Sequence, residues 1–476
     1  MKLPAKGDLI EMALESLDDE GLGAARVMLG DRRLKAHVKD GVPGDRIVAR
    51  IHSRVRDKLF AGVETVLEAS PDRMEPACEH LRAVAPCGGC ALQGMSYEAQ
   101  LRHKAERVRR HLGSHGVVTE VLPTLPAPTT FHHRHKMELT FGRDRAGRLA
   151  VGLHPAGYRW EIITTSRCLL LSPLAASLLD VVLAACEARG LDGYDPRTQA
   201  GALRNLVIRE GKRTEQRLVE LVTGSSLAPD DGKALIDALA EAVGDAVPSW
   251  VWTIVDAERG RPTRLEVAYA RGAPALDEIL ELPGGRRLTL AIHPRAFFQP
   301  HPLAAERLIA EVLRRLPPDG RVADLYCGTG TLALAVAPFV TSVVGVELVP
   351  EAVENARENA ARNALANATF IAGDVAQVLA DPTHAARFAG LDAVLLDPPR
   401  SGLSPQALDA VNRLGPASIV YVSCNPASLG RDLAALGKLG YALDGPIQPV
   451  DLFPHSPHVE SVALVRKARV GYTLTP

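Results

Sequence analysis

With 476 residues, 46% of them hydrophobic and 23% charged, the chain is globular and long enough for about two to four domains with cores of their own. Its net charge of −1 excludes recognition of nucleic acid through overall charge, so any such partner needs a local basic patch. No run of about 18 or more apolar residues occurs, and the start, Met1-Lys2-Leu3-Pro4, is not an apolar signal core; a soluble, cytoplasmic protein with no membrane partner is expected.

Residues 1–70 alternate short strand-like runs with glycine turns (GLGAARVML, RLKAHVKDGVPGDRIVARI, VETVLEAS), which predicts a small β-barrel of the oligonucleotide-binding type. A cysteine-rich segment follows. Of seven cysteines, Cys78, Cys87 and Cys90 cluster as C-x8-C-x2-C, and Gly88 and Gly89 allow the tight turn that aims thiolates at one centre. Cys168, in TTSRCLLL, is the best fourth ligand, because Cys186 sits in an apolar helical pattern and Cys327 and Cys424 belong to other motifs. Four thiolates hold either a tetrahedral zinc or an iron-sulfur cluster, and spacing does not choose between them. LRHKAERVRRHL then sets Lys and Arg on a helical pattern, read either as a face for RNA phosphates or as a solvated basic face. After the Pro-rich link VLPTLPAPTT, the stretch from Phe131 to about Gly285 mixes strands such as KMELTFGR and LRNLVIRE with the helix LLLSPLAASLLDVVLAACEARG, an α+β domain. Its opening, FHHRHKMELTFGR, gathers Arg134, Lys136 and Arg143 around aromatic and histidine side chains, suited to single-stranded RNA. Adjacent histidines on a strand point to opposite faces, which disfavours a metal site at His132, His133 and His135.

From about Leu290 onward, strands and helices alternate in the doubly wound pattern. RVADLYCGTGTLALAVA reads as strand, glycine turn and helix, with Gly328 and Gly330 letting the backbone approach a ligand. Glu347 ends the next strand 17 positions after Gly330, placed to accept hydrogen bonds from both hydroxyls of a ribose. The turn lacks the third glycine of the dinucleotide fingerprint, so S-adenosylmethionine is the preferred ligand. Asp374, in FIAGDVAQ, is read as an adenine contact or a helix N-cap. LDAVLLDPPRSGL ends a strand in Asp397-Pro-Pro-Arg, IVYVSCNPASL sets Cys424 at another strand end, and DLFPHSPHVESVAL sets Glu460 at the head of a third, with Asp451 and His458 nearby to tune it. These parts suit one chemistry. Carbon 5 of a pyrimidine is a poor nucleophile, but a thiolate adding at carbon 6 makes an enolate whose carbon 5 attacks a sulfonium methyl, after which a base removes the carbon 5 proton. Cys424 fits the nucleophile, Glu460 the base, and Asp397 a partner for the uracil edge. The target base must first leave its stack.

Taken in this order, DLYCGTGT (Asp324 to Thr331), DPPR (Asp397 to Arg400), SCNP (Ser423 to Pro426) and HVE (His458 to Glu460) resemble the 5-methyluridine RNA methyltransferases over nearly the whole chain. HPRAFFQPH resembles that family's FFQ element. The resemblance implies a multidomain α/β protein with a TRAM or OB-like RNA-binding barrel over 1–70, an iron-sulfur segment and central α+β RNA-binding domain over 71–290, and a Rossmann-like methyltransferase domain over 291–476. It implies cofactor contacts from Gln299, Asp324, Tyr326, Gly328, Gly330, Glu347, Asp374 and Asp397, with Phe298 beside them. CGGC followed by QGMSYEAQLRHK is similar to members with a [4Fe-4S] cluster, held here by Cys78, Cys87, Cys90 and Cys168. Barrel and cluster together resemble the branch that methylates 23S rRNA, whereas members specific for the tRNA T-loop typically lack both. Two departures stand out: the first cysteine gap is eight residues where the family usually has five, and position 301 is His where the family more often has Asn. A monomer acting on RNA is expected, 23S rRNA before tRNA. Two readings of other classes are a non-catalytic RNA-binding protein of this fold and a redox metal-cluster protein. Retention of Cys424, Glu460 and the cofactor loop together weighs against the first, and the lack of a flavin or nicotinamide fingerprint against the second.

Overall fold

The computed structural model describes residues 3–29, 32–82, 86–157, 160–256 and 264–468. Strands β1 (Leu9–Ala13), β2 (Ser16–Leu17), β3 (Gly23–Leu29), β4 (Arg32–Lys39), β5 (Arg46–Val55) and β6 (Lys58–Glu68) form a sheet in the order β1-β5-β6-β4-β3-β2. Register shifts between β5 and β6 at Arg46/Ile47, Val48/Ala49 and Ile51/Ser53 increase its twist. Alternate residues Leu34, Ala36 and Val38 on β4 and Ile47, Ala49 and Ile51 on β5 then turn into one apolar interior. This is the barrel expected from the glycine-punctuated runs.

Helix α1 (Tyr97–Ser114) is started by Ser96, whose hydroxyl accepts from the Ala99 N–H. The central sheet contains β7 (Lys136–Arg143), β8 (Leu149–Leu153), β9 (Ile163–Thr164), β10 (Leu203–Glu210), β11 (Arg217–Gly224), β12 (Ser249–Asp256) and β13 (Arg264–Arg271), in the order β13-β12-β11-β10-β7-β8-β9. Helices α2 (Pro173–Glu187) and α3 (Pro229–Val243) cover it over a core that includes Trp250 and Trp252. Both helices begin with Pro, whose missing N–H costs nothing in a first turn.

A hairpin of β14 (Leu276–Leu282) and β15 (Arg286–Ile292) leads through α4 (Pro302–Leu313) into the last domain. There β16 (Arg321–Leu325), α5 (Thr331–Val336), β17 (Ser342–Glu347), α6 (Pro350–Arg362), β18 (Ala368–Ala372), α7 (Val375–Ala380), α8 (Ala385–Phe388), β19 (Ala393–Leu396), α9 (Pro405–Leu414), β20 (Ser418–Ser423), α10 (Pro426–Lys438), β21 (Tyr441–Leu443), β22 (Gln448–Val450) and β23 (Glu460–Lys467) follow in sequence. The sheet order is β18-β17-β16-β19-β20-β23-β21, with β22 also on β23. β16 to β20 run parallel and are mostly buried and apolar, with Asp324 a buried charged exception. Val322, Leu395 and Val420 face one core; Ala323, Leu325, Val394, Leu396 and Tyr421 face the other.

The segment 71–290 is not one unit. Leu280, Leu282, Leu288 and Leu290 of the hairpin share a core with Val322 and Leu395, while Ala105, Val108 and Leu112 of α1 share the opposite core with Leu325 and Leu396. Both ends of the segment therefore cover the last sheet, and 136–271 remains as the central domain. Periodicity reports that an element has an apolar face, not which sheet that face will meet.

Candidate active site

The register of the last sheet brings the motifs to one edge. Leu325 pairs with Val346 on β17 and with Leu396 on β19, so the residues that follow, Tyr326, Glu347 and Asp397, emerge side by side at the carboxyl ends of parallel strands. β20 and β23 run antiparallel with Ser423 opposite Ser461, which brings Cys424, one residue beyond, to face Glu460, one residue before. Ligands of open α/β sheets bind at this edge, where the strand order reverses, here between β16 and β19.

Glu460 is only 5% exposed, and its Oε2 is buried with no hydrogen-bond partner among the described residues. Burial first, and then the Asp397 charge, push its pKa well above the carboxylate range, while the Arg400 guanidinium pulls it back. Burial raises Asp397 as well. Two such carboxyls in a dry site do not both ionise readily. The Cys424 thiol is pushed up to about 12 by burial and by the Glu460 and Asp397 charges, against the pull of Arg400. It rests protonated, with carboxyl groups beside it to take the proton. Asn425 ties the two loops together: its amide donates to the Arg400 carbonyl at 2.8 Å, and its Oδ1 accepts from the Ala427 N–H at 3.1 Å to cap α10. Arg400, the cation of the site, was not singled out from the sequence beyond its place in DPPR. Its Nη2 lies 3.4 Å from His458 Nδ1, and burial followed by the Arg400 charge pushes His458 down to about 4, so this histidine is neutral. Asp451 is not free to tune Glu460. Its carboxylate is taken by Lys104 at 2.5 Å and by the Tyr97 hydroxyl at 2.9 Å.

The cofactor loop is strained and open. Tyr326 has φ +72° and Gly330 φ +79°, both left-handed. A Cβ on Gly330 would meet Ala356 at 2.9 Å, whereas nothing lies within 4 Å of one on Gly328. Gly330 is thus required by close packing, and Gly328 borders room for a ligand. Asp324 is 0% exposed, and neither of its carboxyl oxygens meets a donor among the described residues. A buried carboxyl so short of partners is costly, and burial followed by the Asp397 charge pushes its pKa well above the carboxylate range. Glu347 accepts from the N–H groups of Gly328 at 3.1 Å and Val349 at 2.9 Å, which fixes it at the loop while leaving lone pairs for hydroxyls. Asp374 is an N-cap, with Oδ1 accepting from the N–H groups of Ala376 and Gln377. Gln299 and Phe298 are buried, but Phe297 is 68% exposed, and its carbonyl accepts from Thr329 Oγ1 at 3.0 Å, so an aromatic ring stands at the rim that sequence reasoning had overlooked. His301 caps α4, donates to the Thr129 carbonyl at 2.9 Å and stacks on His133; it has a structural post.

Cys78, Cys87, Cys90 and Cys168 line one enclosed cavity with His80, Gln93 and Thr165. Burial first, and then the charges of the other thiols, push Cys87 up to about 11 and Cys90 up as well. Gln93 Oε1 accepts from the Cys78 N–H at 2.7 Å, and the Nε2 atoms of Gln93 and His80 and Oγ1 of Thr165 are buried without partners. As placed, no group of three or more His, Cys, Asp or Glu side chains among the described residues converges on a single ion. The middle of the long cysteine gap, 83–85, lies outside the described residues. Cys186, at 0% exposure in the central core, is a small hydrophobe.

The two basic stretches are split between interior and surface: Lys104, Arg107 and Arg134 are turned inward, while Arg102, Arg110 and Arg143 remain exposed. On α1, Lys104 is fully buried against Asp451, Arg107 is buried and donates to the Pro457 carbonyl at 3.0 Å, and Arg102 and Arg110 pair with Asp72 and Asp19. In FHHRHK, His133 and His135 are buried, and Arg134 packs beside the cysteine cavity near Cys90 and Cys168. Lys136 pairs with Glu138, and Arg143 with Asp192. Charge patterning cannot show that an acidic partner arrives from a distant segment.

A family model described as tRNA (uracil-5-)-methyltransferase matches residues 259–468. An uncharacterized RNA methyltransferase from Caldanaerobacter subterraneus subsp. tengcongensis is 34% identical, the match covering 98% of this chain and 100% of the relative. One from Gloeobacter violaceus is 35% identical, covering 97% of each. Among solved structures, the tRNA (uracil-54, C5)-methyltransferase of Pyrococcus abyssi, in complex with S-adenosyl-L-homocysteine, superposes with a TM-score of 0.72 at 27% identity, over 96% of this chain and 100% of that one. The chain belongs to the RNA (uracil-5-)-methyltransferase family.

Proposed function

We propose that this enzyme methylates carbon 5 of one uridine in 23S rRNA, acting in the cytoplasm as a monomer. The observation that carries the chemistry is the β20–β23 register, which sets Cys424 against Glu460 with Asp397 beside them. The Cys424 thiol gives its proton to a neighbouring carboxylate and its sulfur bonds to carbon 6 of the flipped uracil, moving the ring's electrons toward carbon 5. S-adenosyl-L-methionine supplies the electrophilic methyl group when bound. Asp324, with unpartnered buried oxygens, suits the ammonium of its methionine part, and Glu347 suits its ribose; Gln299, Tyr326, Gly328, Gly330 and Asp374 complete the pocket. Asp397 suits the uracil edge. Glu460 then takes the carbon 5 proton, the carbon 5–carbon 6 double bond re-forms, and the carbon 6–sulfur bond breaks to return the thiolate to Cys424.

The cysteine cavity suits a [4Fe-4S] cluster. A cluster takes one thiolate at each iron, and the unpartnered Gln93, His80 and Thr165 groups beside the four cysteines suit its sulfides. Its role is to hold the local fold or to position the RNA, rather than redox chemistry. The ribosomal RNA branch is favoured by the resemblance of the cysteine segment to that branch; the TRAM-like barrel does not separate the branches, since a tRNA enzyme also matches over almost the whole chain. The match to the Pyrococcus abyssi enzyme over almost the full chain favours a second reading, uridine 54 of tRNA.

The test is mass-spectrometric mapping of 5-methyluridine in 23S rRNA and tRNA from cells lacking the protein and from cells carrying Cys424→Ala. Loss at one rRNA site in both is expected. Loss confined to tRNA keeps the chemistry and changes the substrate, and no loss anywhere overturns the catalytic reading.

A further inference from the structure

The loop 451–459 carries Glu460 into β23, and it is held by elements that the chemistry does not otherwise use. From α1, the Gln100 side chain accepts from the His455 N–H at 2.9 Å and sets its own Nε2 at 3.3 Å from His455 Nδ1. Two turns of contact follow along the same helix face. Lys104 donates to Asp451 at 2.5 Å and to the Phe453 carbonyl at 2.9 Å, and Arg107 reaches the Pro457 carbonyl at 3.0 Å. From the cysteine segment, the Leu92 N–H donates to the His455 carbonyl at 2.9 Å. His455 itself has φ +66°, a left-handed conformation rare for a residue with a side chain, and stacks on Phe131 at 4.6 Å. Such a conformation persists only where its surroundings over-determine it. Here the backbone N–H, the carbonyl and the ring of one residue are each engaged by a different group, five positions before the base.

We infer that α1 acts as a clamp on this loop, with Gln100 and His455 as positioning residues that set the reach of Glu460 in the final proton-removing step. The inference rests on the covalent mechanism proposed above. In that step Glu460 takes the carbon 5 proton, the released electron pair closes the carbon 5–carbon 6 double bond, and the carbon 6–sulfur bond breaks with its pair on Cys424. Sulfur addition and methyl transfer use Cys424 and the cofactor loop, to which neither Gln100 nor His455 is hydrogen-bonded among the described residues. A slack clamp therefore slows resolution of the adduct and leaves its formation intact. A general loss of structure slows both.

The experiment uses the full-length protein with unmodified 23S rRNA transcript and, separately, tRNA transcript, plus S-adenosyl-L-methionine. Denaturation-resistant protein–RNA adduct is quantified beside multiple-turnover methylation for the wild type, Glu460→Gln, Gln100→Ala and His455→Gly. Glycine tolerates φ +66°, so His455→Gly slackens the clamp from the loop side without adding backbone strain. Thermal melts and S-adenosyl-L-homocysteine binding establish that each variant is folded. Gln100→Ala and His455→Gly are expected to accumulate adduct as Glu460→Gln does, with turnover about 10- to 100-fold below wild type. Wild-type adduct levels and turnover in both folded variants overturn the clamp, as does a parallel fall in adduct formation and resolution. If Glu460→Gln itself traps neither RNA, the covalent mechanism fails, and the clamp with it.

Discussion

Glu460 shows how one side chain links chemistry to stability. Burial and Asp397 raise its pKa in the folded protein, while in the unfolded chain it titrates near about 4.3. The folded state therefore holds a proton there that the unfolded state has lost, and the site's contribution to stability is full at low pH and falls as pH rises through the raised folded value. Glu460→Gln removes the charge and keeps the shape. This variant should melt with the wild type near pH 4 and above it at pH 8.5, by scanning calorimetry. An equal melting temperature at both values would show that Glu460 ionises freely. Cys424, Glu460, Asp397 and Glu347 were legible as candidate site residues because each borders a strand-like run beside a turn. Their protonation was not, since burial depends on the chains above and below the edge.

Helices in this molecule are set by short-range signals and placed by long-range ones. Ser96, Ser172, Ser404 and Asn425 cap α1, α2, α9 and α10 with their side-chain oxygens, and several first turns begin with Pro, all readable in sequence. Placement appears in α3, where a Cβ on Gly232 would stand 2.2 Å from the buried Trp252 ring, whose Nε1 donates to Thr223 at 2.9 Å. The Gly232 site has no room. Gly232→Ala is expected to lower stability by about 1–3 kcal/mol, despite the higher helix propensity of alanine, as measured by urea denaturation. A rise in stability would mean that α3 packs less closely than this. The basic helix α1 teaches the same lesson from the polar side: its lysine and arginine pattern was read as facing RNA or water, and Arg102 and Arg110 do stand at the surface beside Asp72 and Asp19, whereas Lys104 is buried against Asp451.

At the scale of the molecule, the N-terminal half braces the C-terminal sheet. Leu17 and Val42 of the barrel pack on Leu92, Met95 and Ala99, and α1 carries that contact on to the catalytic core. The Pro-rich stretch 121–130 is no free linker; Val121 and Leu125 bridge to Ile447 and Val450 beside β22. Lys104 and Asp451, both 0% exposed, join across 347 positions of sequence. Lys104→Met leaves Asp451 buried without its cation, and a loss of about 3–5 kcal/mol is expected in chemical denaturation, with most of it restored in Lys104→Met combined with Asp451→Leu. A single variant as stable as the wild type would show that water already reaches this pair.

Local pattern by itself determined the barrel, the α+β centre, the doubly wound catalytic domain and the motifs at its strand ends, since periodicity, turn residues and caps act over a few residues. It also picked out the cysteines that the fold gathers in one cavity, because only Cys168 was left unassigned by other patterns. Only the tertiary structure decided that Cys424 faces Glu460, that Arg400 stands beside both, and that Lys104 and Arg107 of α1 turn inward onto the loop before Glu460. Those facts depend on strand register and on pairings between distant segments. Sheet register and charge compensation are properties of the assembled chain, fixed when apolar faces are buried together, and no window of sequence contains both partners.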